Sequence, residues 1–360
     1  MVDAPFEQEF AFEVKGFRNG LWRFPHYSDS PVNSVRLAKN CLITGNGYLT
    51  RRNGLSNISS GTFATTDVLL SLIMEGLPRD RKLHVLEETS SVVKRYRQFD
   101  GASWGGETGE NHAGAIFDKI PHFPAWFRRS NGLLALFTAA DDGITLVNTE
   151  GAGVPADIHV ATNEAFQAKG GVNPPGHGLI IAFHDRLWVA GGFFLSNIER
   201  DRIYFSNLLD PEMWQAATQN IQISNISEDV VGMAGWRNET LIIGTESELW
   251  ALSIGTSATI LDWELEKISG AIGVGSHHSM MSIRDDLFFM DQYNDVRSLK
   301  LSISETSQTL ESLPISFPIR DTMRELGKVS AKTNSQKVLA AKLFEGNYLI
   351  GTLEGFSDAS

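Results

Sequence analysis

A chain of 360 residues, 42% hydrophobic and 21% charged, is long enough to bury a large core, and its composition excludes disorder and collagen-like repeats. Against 43 Asp+Glu it has 31 Lys+Arg, and the net charge of -12 opposes a tight grip on nucleic acid. Cys41 is the single cysteine, so an internal disulfide and a cysteine-based zinc cage are excluded.

No apolar run approaches the roughly 20 residues of a membrane helix. The acidic start, Met1 to Phe12, leads us to expect no secretory signal.

Residues 1–65 read as an N-terminal arm. They contain Pro5, Pro25 and Pro31 and end in a run of small polar residues from Ser56 to Thr66. Within the arm, Asn46-Gly47 lies between Leu42-Ile43 and Tyr48-Leu49, which predicts a hairpin with a two-residue turn.

Residues 66–360 read as strands almost throughout. Short apolar runs rich in β-branched and aromatic residues recur at Val68–Leu70, Leu83–Leu86, Leu133–Phe137, Leu187–Val189, Leu241–Ile243, Leu287–Met290 and Tyr348–Ile350. Polar pairs such as Asn131-Gly132, His184-Asp185 and Asp285-Asp286 mark the predicted reversals. Third strands are expected at Ile144–Val147, Ile203–Phe205, Leu249–Leu252 and Val296–Leu299. The one helical candidate is Ile319–Leu326, behind Pro318.

Spacing decides the architecture. Centres of the strong runs from Leu83 onward are about 50, 53, 54, 46 and 61 residues apart. A period of about 40–50 residues suits propeller blades. A meander of that size cannot bury both faces alone, whereas radial packing of several does so and leaves only short edges. Six units fit between Asp67 and Gly351, so the expected fold is all-β, a six-bladed β-propeller. A pair of β-sandwiches is the alternative, and the long period favours the propeller. The last unit is short of strands, so part of Phe10–Leu55 is expected to pair with the hairpin near Tyr348 and close the ring.

Three segments carry a resemblance. Arg36–Thr44 followed by Gly45–Leu55 (GlyAsnGlyTyrLeuThrArgArgAsnGlyLeu) resembles the opening of propeller-type tail nozzle or head-to-tail connector proteins of short-tailed bacteriophages. Here Asn53 stands where that pattern usually has proline. Arg202–Trp214, with Asp210-Pro211 and Trp214, is similar to the family's strand and turn. Ile268–Gly273, with Gly275-Ser276 behind it, is similar to its lead into a blade.

The resemblance implies a structural virion protein of the tail, made in the bacterial host cytoplasm. It would form a homo-oligomeric ring of about six copies around the DNA exit channel. Expected partners are an adaptor or portal-side protein and tail-fibre or tail-tip proteins. Double-stranded DNA would pass without tight binding, because an acidic wall forgoes counterion release, and no membrane insertion is expected. The alternative function is a carbohydrate- or protein-binding propeller that uses loops on one face.

Chemistry-bearing patterns are sparse. His277-His278 is the only histidine pair, and with Asp285, Asp286 and Asp291 nearby it still lacks metal-ligand spacing, so no metal is expected. Arg97–Trp104 resembles the Asp-box turn of sialidase-like propellers, a structural feature in which Asp100 and Gly101 shape a hairpin. Tyr204, Glu199, Arg200 and Arg202 show no spacing that separates a glycosidase site from a salt-bridged strand edge. There is no Gly-x-Ser-x-Gly elbow, and Gly105-Gly106, Gly151-Ala152-Gly153 and Gly191-Gly192 match no phosphate loop. Asp141-Asp142-Gly143 is a fragment of a calcium loop and reads as a turn. The eight tryptophans read as packing between blades. The expectation is therefore no enzyme, no cofactor and no catalytic residue.

Overall fold

The computed structural model describes residues 41–43, 49–51, 68–74, 83–90, 93–99, 108–109, 124–129, 131–140, 143–149, 159–160, 178–190, 201–223, 228–255, 260–299, 314–317, 338–344 and 347–352. They form antiparallel sheets almost entirely, with two short 3-10 turns at Ile260–Asp262 and His277–Ser279. The predicted helix at Ile319–Leu326 and the Asp-box residues Asp100–Trp104 lie outside the described residues, as do the glycine pairs at 105–106 and 191–192 and the triplet at 151–153.

A hairpin comes first, β1 (Cys41–Ile43) with β2 (Leu49–Arg51). The first sheet is β3 (Val68–Met74), β4 (Leu83–Ser90), β5 (Val93–Phe99) and β6 (Thr108–Gly109). The second is β7 (Pro124–Arg128), β8 (Leu134–Ala140), β9 (Gly143–Thr149) and β10 (His159–Val160). The third contains β11 (Leu179–Phe183), β12 (Arg186–Ala190), β13 (Arg202–Asn207) and β14 (Asp210–Trp214), with β15 (Asn220–Gln222) returning to β13. The fourth is β16 (Val230–Trp236), β17 (Thr240–Thr245), β18 (Leu249–Ser253) and β19 (Glu264–Ser269). The fifth is β20 (Met281–Ile283), β21 (Asp286–Met290) and β22 (Val296–Ser298). A last hairpin joins β23 (Val338–Phe344) to β24 (Asn347–Thr352).

Sequence chemistry explains the turns. Between β11 and β12, His184 and Asp185 both take positive φ, 49° and 56°, as a two-residue turn between twisted strands requires. Between β7 and β8, the N–H of Gly132 bonds the carbonyl of Arg129 at 2.9 Å and Gly132 takes φ 86°, while the side chain of Asn131 accepts the N–H of Leu133. That is a turn closed by a left-handed glycine.

One expected reversal moves. The one after β20 is Arg284-Asp285, with Arg284 at φ 58°, because Asp286 pairs with Ile283 and belongs to β21. The expected turn at Asn46-Gly47 lies outside the described residues; the strands on either side of it, β1 and β2, pair antiparallel from Ile43 with Leu49 to Cys41 with Arg51.

First strands adjoin in series. β7 touches β11, β11 touches β16, β16 touches β20, and β20 touches β23. The sheets therefore stand side by side as the blades of a propeller do. In the fourth sheet, β17 is buried on both faces. Leu241 and Ile243 of β17 enter a core shared with Phe137, Leu187, Trp188 and Phe205 of the second and third sheets, and Ile242 between them enters a second core with Leu287 and Phe289 of the fifth. The two-residue period of a strand puts alternate side chains on opposite faces, which is why consecutive apolar residues in β17 are not a fault.

Among the described residues, some tryptophans fill the packing. Trp188 and Trp214 are fully buried, and Trp188, Phe205 and Trp263 stack at 5.0–5.6 Å between centroids, bridging the third and fourth sheets. Among the described residues, β1 and β2 pair only with each other, and so do β23 and β24. The expected ladder from the arm to the hairpin near Tyr348 is not formed by these strands.

Candidate functional site

The densest polar constellation lies where the fourth sheet meets the fifth. Its spine is residues 270–280, the link from β19 to β20 and the segment that carries the third resemblance. Ser269 starts it: its Oγ accepts the N–H groups of Ala271 and Ile272, both at 3.2 Å, and turns the chain off the end of β19.

Backbone then clamps the link from both sides. Val274 donates to the carbonyl of Thr245 at the end of β17, 2.9 Å, and Gly275 donates to the carbonyl of Met290 at the end of β21, 2.8 Å. Gln292 adds a side-chain bridge, accepting from Gly273 N–H and donating to the Ala271 carbonyl. A Cβ on Gly273 would collide with the backbone of Thr245 and Glu246, and one on Gly275 with the carbonyl of Asp291. The glycines of the motif are there for close approach of backbone to backbone.

His277 and His278 follow in a 3-10 turn, not on a strand, with ring centroids 6.4 Å apart. Nδ1 of His277 accepts the backbone N–H of Met233 in β16 at 3.1 Å, which places the neutral ring's single N–H proton on Nε2. Burial, and then the neighbouring His278, pushes His277 down to about 3, and burial pushes His278 down to about 4. Both imidazoles are neutral at pH 7. Beneath them Ser279 Oγ donates to the Ser276 carbonyl at 2.6 Å and accepts from Met290 N–H at 3.0 Å.

Asp285, Asp286 and Asp291 do not converge on the histidines. Asp286 accepts from Ser298 Oγ and from the N–H of Leu287. Asp291, with no exposure, accepts the N–H groups of Tyr293 and Asp295 and the Nε of Arg297 at 2.5 Å, closing the turn between β21 and β22. No group of three metal-ligating side chains occurs among the described residues.

The other described residues of the candidate set sit in ladders and packing. Tyr204 is buried, and Arg202 donates to Asn220 Oδ1 across the β13–β15 ladder; Glu199 and Arg200 lie outside the described residues. Asp210 Oδ1 accepts Glu212 N–H, the Trp214 indole donates to the Pro211 carbonyl, and Glu212 reaches back to Arg129 beside the β7–β8 turn. This second resemblance segment is therefore a joint between the second and third sheets.

Sequence reasoning missed three joints. Arg186 is buried, with its guanidinium 5.4 Å from the Phe205 ring and 5.5 Å from that of Trp263, and it donates to the Ser206 carbonyl; desolvation lowers its pKa. Glu228 gathers Thr245 Oγ1 and Ser247 Oγ, both at 2.6 Å. Glu248 pairs with Lys267, which also lies over Trp250. Each joins residues 17 or more apart, beyond any local pattern, except for the short Glu248–Trp250 step.

No family model matches the chain, and no curated protein matches it. Several solved structures are similar. PorZ, a surface component of the type-IX secretion system of Porphyromonas gingivalis, is 13% identical with a TM-score of 0.40, covering 74% of this chain and 37% of its own. Virginiamycin B lyase from Staphylococcus aureus is 11% identical with a TM-score of 0.39, covering 72% of this chain and 74% of its own. AztD from Citrobacter koseri is 14% identical with a TM-score of 0.38, covering 68% and 60% respectively. At these identities and scores, none of them lends this chain an activity or a partner.

Proposed function

We propose that this chain is a structural virion protein, a nozzle or head-to-tail connector in the tail of a short-tailed bacteriophage, built as a six-bladed propeller over residues 66–360 with an assembly arm over residues 1–65. One observation supports the structural role above others: two segments that resemble that family, Arg202–Trp214 and Ile268–Ser276, serve as joints between sheets and hold no converging reactive groups. Glu212 bonds Arg129 of the second sheet, and the 270–280 link is clamped by Thr245 and Met290 of two different sheets. Such segments serve the geometry of a scaffold.

In this role about six copies form a ring around the DNA exit channel, with an adaptor or portal-side protein on one side and fibre or tip proteins on the other. The acidic balance of -12 lets phosphate slide past without counterion-release adhesion. Sedimentation and negative-stain imaging of the purified protein test this. A ring of about six with a central channel is expected; a stable monomer at assembly concentrations, or a channel lined mainly by Lys and Arg, overturns it.

A further inference from the structure

The joint between the fourth and fifth sheets rests on an imidazole nitrogen that accepts a backbone hydrogen bond. Met233 lies in β16, the first strand of its sheet, and its N–H goes to Nδ1 of His277. Protonation there turns the acceptor into a donor, so the bond is lost and two N–H groups face each other. The packing offers little room for adjustment. Gly232, next in chain to Met233, has Val274, the His277 Cα and Met280 so close that a Cβ would not fit. The turn at His277–Ser279 touches β16, β21 and β23.

We propose that this joint is an acid-sensitive latch: protonation of His277 releases Met233 and parts β16 from the turn that leads into the fifth sheet.

Among the strands packed against it, β16 and β20 contain no titratable residue, β21 contains Asp286, held by Ser298 and Leu287, and the sequence of β23 holds one, Lys342. Each histidine lies next to the other, so the first proton taken up discourages the second. The direction of the linkage is set by burial. In the unfolded chain the imidazoles bind protons near 6.5, and in the folded joint only near 3 and 4, so the stability they support is whole above 6.5 and falls away as pH drops from there.

Hydrogen exchange on the full chain at pH 7.5 and pH 5, corrected for the intrinsic pH dependence of exchange, tests the latch. Opening of 230–236 and 277–290 should rise about tenfold or more at pH 5, ahead of the β11–β13 ladder. His277→Asn keeps an acceptor oxygen and cannot take the proton, so in that variant the acid increment should shrink to the part that His278 supports. An increment undiminished in His277→Asn overturns the latch, and so does unchanged protection of 230–236 in the wild type. The wild-type measurement decides alone if the variant fails to fold.

Discussion

Trp236 donates its indole N–H to the carbonyl of Asp285 at 3.0 Å, so the last residue of β16 is tied to the first turn of the next sheet. The same indole carries Arg237 over its face at 4.2 Å. An aromatic body inside the seam with one polar handle at its rim is what a sheet-to-sheet joint needs.

Trp236→Phe keeps the ring and removes the handle. A net loss of about 1–2 kcal/mol is expected, the worth of a buried hydrogen bond with a little packing. Urea unfolding measures it, and a midpoint equal to wild type would show that the bond contributes nothing.

Gly273 and Gly270 sit three residues apart in the same link and should respond oppositely to alanine. A Cβ on Gly273 runs into immobile backbone at Thr245 and Glu246, so Gly273→Ala is expected to cost about 2–3 kcal/mol or more. At Gly270 a Cβ meets only the flexible end of Lys267, at 3.8 Å, and Gly270→Ala should stay within about 0.5 kcal/mol of wild type. Paired thermal melts of the two variants check the contrast.

Leu209 stands at φ 57° in the β13–β14 turn, with 62% of its surface exposed and its N–H on the Asp185 carbonyl. A left-handed leucine is strained, and exposure offers it no burial in return. Leu209→Asn keeps the N–H and suits the conformation, so a gain of about 0.5–1 kcal/mol is expected from chemical denaturation. A loss would show that Leu209 packs on something that its exposure conceals.

Glu228 gives a pH dependence of its own. Burial pushes its carboxyl up, but hydrogen bonds from the Ser247 and Thr245 side chains and from the Ser247 backbone, with the charge of Lys267, outweigh that and hold it below the ordinary 4.5. The unfolded chain therefore takes up the proton first as pH falls, and the stability Glu228 supports is present above 4.5 and lost on acidification below it. Glu228→Gln should be less stable than wild type at pH 7 and nearly equal to it at pH 3, in urea titrations at the two pH values. A gap that persists undiminished at pH 3 would show that the carboxylate charge is not what matters.

Turns and middle strands were the legible part of this fold. His184-Asp185 between two apolar runs could be placed to the residue, because a polar pair with access to positive φ admits one tight reversal. Arg284-Asp285 was misplaced by one, since Arg284 at φ 58° is an unusual turn residue and Asp285-Asp286 the more ordinary one. Outer strands escaped. β19 reads Glu-Leu-Glu-Lys-Ile-Ser and is mostly exposed, and β14 holds a proline, so neither forms an apolar run. The joint at His277 was not legible at all: a histidine pair looks the same in sequence whether it faces solvent or accepts Met233. Glycines 273 and 275 were visible as a motif, but their purpose needed the backbone of Thr245 and Asp291, which arrive from elsewhere in the chain.

Within each sheet almost every strand pairs with the one that follows it in the chain, β15 returning to β13 being the departure among the described residues. A sheet of that kind needs nothing from downstream to zip up. On a ribosome each meander can hydrogen-bond as soon as its last strand emerges, and its apolar face then waits only for the next meander to cover it. Synthesis thus lays the protein down like successive leaves, and the vulnerable moment in its life is the interval between two leaves, when a row such as Leu241 to Ile243 has one face covered and the other still in water.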